Sequence, residues 1–125
     1  MIPSGVQVFV ALSAVDMRYG VERLSGLVRE QMGYEPRGGA LFVFVGRRRQ
    51  IVKVLFADAT GVCIFYKRLD EGTFSLPAAA GADVTHVEID ESTLDALLDG
   101  ICITPEAEPS SASSRRRARR ARRVH

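Results

Sequence analysis

Between residues 40 and 76, four short apolar runs, ALFVFV, IVKVLFA, VCIFYKR and TFSL, are separated only by GRRRQ, DATG and, after Leu69, DEG. Separators this short suit hairpin turns, so the spacing predicts an antiparallel β-meander over 40–45, 51–57, 62–68 and 73–76. Facing residues on antiparallel strands point the same way, and the turns therefore sort the side chains into two faces. With DATG as a four-residue loop, Ala57 faces Val62, Leu55 faces Ile64 and Lys53 faces Tyr66. With GRRR as another, Val45 faces Gln50 and Phe44 faces Ile51. One face then collects Leu41, Val43, Val45, Val52, Val54, Phe56, Cys63 and Phe65, with Lys67 at its margin, and reads as core. The other collects Phe42, Phe44, Ile51, Lys53, Leu55, Ile64, Tyr66 and Arg68. Its aromatic and basic mixture is what single-stranded nucleic-acid platforms use. It equally suits a covering helix past which Lys53, Tyr66 and Arg68 extend polar tips, and the need to bury two amphipathic helices favours that arrangement.

The flanking segments supply those helices. Val6, Val8, Val10 and Leu12 alternate with Gln7, Phe9 and Ala11, the period of an opening strand. Asp16 is a candidate N-cap for a helix with the stripe Met17, Val21, Leu24 and Val28, and Gly33 stands where it should stop. Gly20 and Gly26 inside it each cost up to about 1 kcal/mol relative to alanine, so tertiary packing must hold it. Farther on, VTHVEI predicts a strand, and Asp90 a second N-cap. The helix after it carries Leu94, Leu97, Leu98 and Ile101 on one face and is closed by Gly100. The expected fold is α+β, an antiparallel meander of about four to six strands with two packed helices. At 125 residues one domain is expected, over 1–103. Residues 104–125 have almost no bulky apolar side chain and predict a disordered basic tail.

The net charge of +2 conceals a segregation. Residues 37–68 carry seven bases against Asp58 alone, whereas 69–114 carry ten acids and no base. The tail then adds Arg115, Arg116, Arg117, Arg119, Arg120, Arg122 and Arg123. Seven guanidiniums favour any polyanion, with steep salt dependence and little specificity, or dock onto the acidic segment before them, or form a terminal extension with no selected role. No run reaches the roughly 18 to 20 apolar residues of a membrane span, and MIPSGVQVFVAL lacks the basic start and small-residue cleavage site of a signal peptide. A cytoplasmic protein, free of membrane, is the expectation. Cys63 and Cys102 form no CxxC pair and sit in apolar stretches, so they are expected to be buried small hydrophobes.

Catalysis needs a constellation that this chain does not spell. It has no Ser/His/Asp or Cys/His arrangement, no GxxxxGK[ST] loop and no HExxH, and neither a metal nor another cofactor is expected. Asp16, Asp58, Asp70 and Glu71 could form a metal-binding acidic cluster for phosphodiester chemistry. Helix capping and hairpin turns explain the same residues more simply. Arg47, Arg48 and Arg49 at a hairpin end can bind phosphates through charge-assisted hydrogen bonds, or can serve as solvated charge.

The strings VDMRYGVERLSGLV, GALFVFVGRRRQIVKVLF, GVCIFYKRLDEGTFSLP and LDALLDGI resemble, in order, the small Orf2 (TnpB) accessory proteins of the insertion sequence 66 transposon family. The resemblance covers about residues 2–103. It implies a protein encoded beside a separate DDE transposase and needed for efficient transposition, with no established catalytic activity of its own. DNA binding or assembly of a protein complex is the role it implies. Matching basic positions are Arg18, Arg47, Arg48, Arg49, Lys53, Lys67 and Arg68. This chain departs from the pattern at Gln50–Ile51, where relatives often follow an acidic or amide residue with a base, and at Ala57–Asp58, where they often have an aromatic–acidic pair. Together with Tyr66 from the aromatic face, the seven basic positions are the candidate DNA-binding residues. The expected function is a non-enzymatic accessory protein that contacts DNA, transposon ends or non-specific sequence, and assists the transposase. The alternative is a protein–protein adaptor docking that transposase through the acidic 83–108 segment.

Overall fold

The computed structural model describes residues 5–76, 81 and 83–100. Cys102, Ile101, the tail arginines at 115–123 and the expected boundary at 103/104 lie outside the described residues. Five strands form one sheet: β1 (Val8–Ala11), β2 (Leu41–Val45), β3 (Ile51–Ala57), β4 (Val62–Arg68) and β5 (His86–Ile89), in the order β4-β3-β2-β1-β5. The class is α+β, but the sheet is mixed rather than a pure antiparallel meander. Only β2–β3–β4 is a meander, because β1 runs parallel to β2 and antiparallel to β5. A long crossover makes that parallel pairing possible, and the segment from Leu12 to Ala40 supplies it with helix α1 (Val21–Leu27). All four β1 residues are buried, as expected of an interior strand covered on both faces.

The β3–β4 register is the expected one, with Ala57 opposite Val62, whereas β2 and β3 pair Val45 with Val52, two residues from the expected register. The loop is Arg47–Gln50, not GRRR, since the Gly46 amide donates to the Ile51 carbonyl at 3.0 Å. An even shift leaves every side chain on its expected face. Val43, Val45, Val52 and Val54 join Val8, Val10 and Phe74 beneath Leu94 and Leu97 of α2 (Glu91–Leu98). Phe42, Phe44 and Leu55, with Phe9, pack under Leu24 and Val28. A helix thus covers the mixed face, and only Tyr66 keeps half its surface open there (53%) among the large apolar side chains.

Three local expectations change. Asp16 does not cap α1: its carboxylate accepts from the Arg18 amide at 2.9 Å and from the Arg18 side chain, so the helix starts after Gly20. The helix ends as predicted, through a π-helical turn (Val28–Met32) closed by left-handed Gly33. No atom lies within 4 Å of a Cβ built on Gly26, so burial of Leu24 and Val28, not a close backbone approach, holds the helix. The 73–76 run is not a strand. Phe74 is fully buried under the sheet, and its amide is bound by the Arg49 carbonyl. Cys63 is half-exposed on edge strand β4, its thiol 3.5 Å from Asp58 Oδ2, rather than buried. Asp90 caps α2 as predicted, accepting from the Thr93 amide at 2.7 Å.

Candidate nucleic-acid interface

At the Arg47–Gln50 end of the sheet, two segments from elsewhere in the chain clamp the hairpin. On one side Val15 bridges to Gly46 in parallel fashion, its amide donating to the Val45 carbonyl at 3.0 Å. This close approach needs glycine: a Cβ on Gly46 would lie 2.7 Å from Met17 Cγ. On the other side the Leu69 amide donates to the Gln50 carbonyl at 2.9 Å and the Phe74 amide to the Arg49 carbonyl at 2.6 Å. Within the loop the Arg49 amide returns to the Gly46 carbonyl at 2.9 Å, and Arg49 itself takes the left-handed conformation (φ 59°). The arginine backbone is therefore fixed by main-chain bonds, and its three side chains remain exposed.

Between the 15–18 segment and the hairpin end runs a groove of about 440 Å³. Arg18, Arg47, Arg48, Arg49 and Arg68 all line it, over a floor that includes Val15, Met17 and Ile51. Asp16 is the one acid among these lining residues. Its carboxylate takes Arg18 side-on, with Nε at 3.1 Å and Nη2 at 2.7 Å. Hydrogen bonds from the Arg18 side chain and amide, reinforced by the Arg18 and Arg47 charges, hold the Asp16 carboxyl far below the usual range. Among the described residues the ion pairs are Arg18–Asp16 and Arg29–Glu35. Arg47, Arg48, Arg49 and Arg68 face no described carboxylate in such a pair. Guanidiniums free of carboxylate partners can bond anionic oxygens in bidentate geometry.

The eight sequence-predicted residues divide. Arg18, Arg47, Arg48, Arg49 and Arg68 are brought together, although Arg18 is far from the others in the chain. Lys53 is turned inward: its Nζ donates to the Tyr19 carbonyl at 2.9 Å and lies 6.0 Å from the Tyr66 ring. It is half-buried and supports the approach to α1 rather than lining the groove. Tyr66 stands beside it on the α1 face, and Lys67, opposite Val52, leans over the α2 face. Sequence reasoning missed Met17, Gly46 and Gln50 as groove residues and the pairing of Asp16 with Arg18. The D-x-R spacing was the available signal, since a carboxylate two residues before an arginine can reach both its amide and its side chain.

Among the described residues no three of His, Cys, Asp and Glu converge as metal ligands would. Asp58 lies at the opposite end of β3 from Asp16, committed to its own turn by the Thr60 and Gly61 amides at 2.9 Å. No described helix is long and apolar enough to cross a membrane.

Comparison with known proteins adds the following. The profile of the family described as IS66 Orf2-like protein matches residues 6–108. The uncharacterized protein y4hO of Sinorhizobium fredii is 42% identical over 103 residues, covering 81% of this chain and 87% of its own. The uncharacterized protein y4jC of the same organism is 32% identical over 73 residues, covering 58% and 62% respectively. No solved structure matches.

Proposed function

Because the chain belongs to the IS66 Orf2-like family, whose members are transposition-associated accessory proteins, we propose that it assists a separate DDE transposase by gripping DNA phosphates. The grip is formed by Arg47, Arg48, Arg49 and Arg68 at the clamped end of the sheet, beside Arg18, whose Nε–Nη2 edge Asp16 occupies. The gathering of five arginines along one groove, with Asp16 the only acid among its described lining residues, is the observation that supports this reading. Main-chain clamping on both sides means little order has to be gained on binding. The tail arginines add affinity of a non-specific kind, and the site of action is the bacterial cytoplasm, at the nucleoid.

The test separates groove from tail. In a full-length chain whose seven tail arginines are glutamine, duplex DNA binding is titrated over several salt concentrations, with and without Arg47/Arg48/Arg49→Gln. Each phosphate contact contributes about 0.9 to the slope of log K against log salt, so the triple change should lower the slope by roughly 2 to 3. Binding that vanishes with the tail and ignores the triplet refutes the groove.

One observation favours a second reading. Glu91 and Asp95 of α2 and its C-cap residue Asp99 recur every fourth residue. That acidic stripe suits docking to a basic surface of the transposase. A chain that binds no DNA yet co-purifies with the transposase, and loses it on Glu91/Asp95/Asp99→Lys, would establish the adaptor role instead.

A further inference from the structure

We propose that the arginine groove accommodates one unpaired DNA nucleotide, its base stacked on the Arg18 guanidinium and its flanking phosphates held by Arg47, Arg48 and Arg49. The proposal deepens the DNA-binding reading and rests on it.

The first ground is how Arg18 is held. Asp16 engages its Nε and Nη2, the edge an arginine ordinarily offers to a phosphate in fork geometry. Yet the Arg18 side chain is 90% exposed. A guanidinium whose edge is occupied and whose faces are open is a fixed flat plate, and such planes stack on unpaired bases. Asp16 already accepts from the Arg18 amide, Nε and Nη2, and so orients the plate.

The second ground is the floor. Phosphate alone asks for donors and charge, but this groove also presents half-buried Val15, Met17 and Ile51. Their apolar surface suits the body of a base, and the half-buried Gln50 amide beside them offers both a donor and an acceptor to a base edge. The groove is open to solvent, and its volume of about 440 Å³ leaves room for one base. A base inside a regular duplex keeps both faces stacked on its neighbours, so the nucleotide that enters is extrahelical or at a single-stranded end.

The experiment uses the full-length natural chain and three probes: a blunt duplex, the same duplex with one unpaired 2-aminopurine nucleotide at an end, and the same overhang made abasic. Stacking should quench the 2-aminopurine fluorescence at saturation and favour it over the abasic overhang by roughly tenfold, from the 1–3 kcal/mol typical of a stacked base. Arg18→Lys keeps the charge but loses the plane. It should bring the base-to-abasic ratio to about one and abolish the quench. Equal affinity for the two overhangs, unchanged fluorescence, or a quench that survives Arg18→Lys overturns the proposal. Should these occur while blunt-duplex binding still depends on Arg47, Arg48 and Arg49, the phosphate grip stands and only the nucleotide site falls. Loss of that dependence removes both.

Discussion

The two hairpin loops at opposite ends of β3 are both four residues long, yet they are closed by different means. Residues 58–61 close on themselves: Asp58 accepts from the Thr60 and Gly61 amides at 2.9 Å, and its own amide donates to the Gly61 carbonyl. Residues 47–50 bring no carboxylate of their own. Besides the bond from the Arg49 amide to the Gly46 carbonyl, the Leu69 and Phe74 amides hold the Gln50 and Arg49 carbonyls and Val15 holds the adjoining Val45–Gly46 stretch, so the Arg47, Arg48 and Arg49 side chains are left free of structural duty. A turn that spends its side chain on closure has none for a ligand. A turn clamped by distant segments presents its side chains on a rigid base.

That contrast can be broken most severely at Phe74. Phe74→Ala removes a fully buried ring and loosens the bond to the Arg49 carbonyl. A loss of about 3–5 kcal/mol is expected by urea unfolding, with weaker DNA binding in whatever remains folded. Next comes Gly46→Ala, whose Cβ meets Met17 Cγ at 2.7 Å. It should cost about 1–3 kcal/mol and disturb the groove. Gly61→Ala in the other hairpin meets nothing within 4 Å and should stay within about 0.5 kcal/mol of the parent in the same assay.

Arg49→Gly separates stability from binding at the arginine hairpin. The left-handed backbone (φ 59°) suits glycine, so the melting temperature should hold or rise slightly. The salt slope of DNA binding should meanwhile fall by about 0.9, one phosphate contact. The smallest effect concerns acid. The Thr60 and Gly61 amides hold the Asp58 carboxyl below its ordinary value. A folded value so depressed adds stability that is complete above about pH 4 and is lost as pH falls through the folded value. Asp58→Asn should therefore flatten the stability profile over that acid window and leave DNA binding at neutral pH unchanged.

Much of this was readable in the chain, for local reasons. Side chains alternate along a strand, so the two faces of β2, β3 and β4 followed from the runs themselves, and a register slip of two residues did not disturb them. Asp90 and Gly33 announced helix ends because capping depends on a few adjacent residues. Asp16 misled because its carboxylate had a nearer partner in Arg18 than any helix amide. The 73–76 run misled because composition could not show that Phe74 would drop into the core beneath α2 while its amide reached the Arg49 carbonyl.

The candidate site divides along the same line. Sequence determined that three arginines would stand at a tight turn between two core strands, since turn length and apolar alternation are properties of neighbouring residues. Tertiary structure alone decided that Arg18 would join them and that Lys53 would turn inward to the Tyr19 carbonyl. Those outcomes depend on β1 lying parallel to β2, so that the chain leaving β1 arrives at Gly46. The choice of strand partner is made by burial over the whole sheet, and no local stretch of residues encodes it.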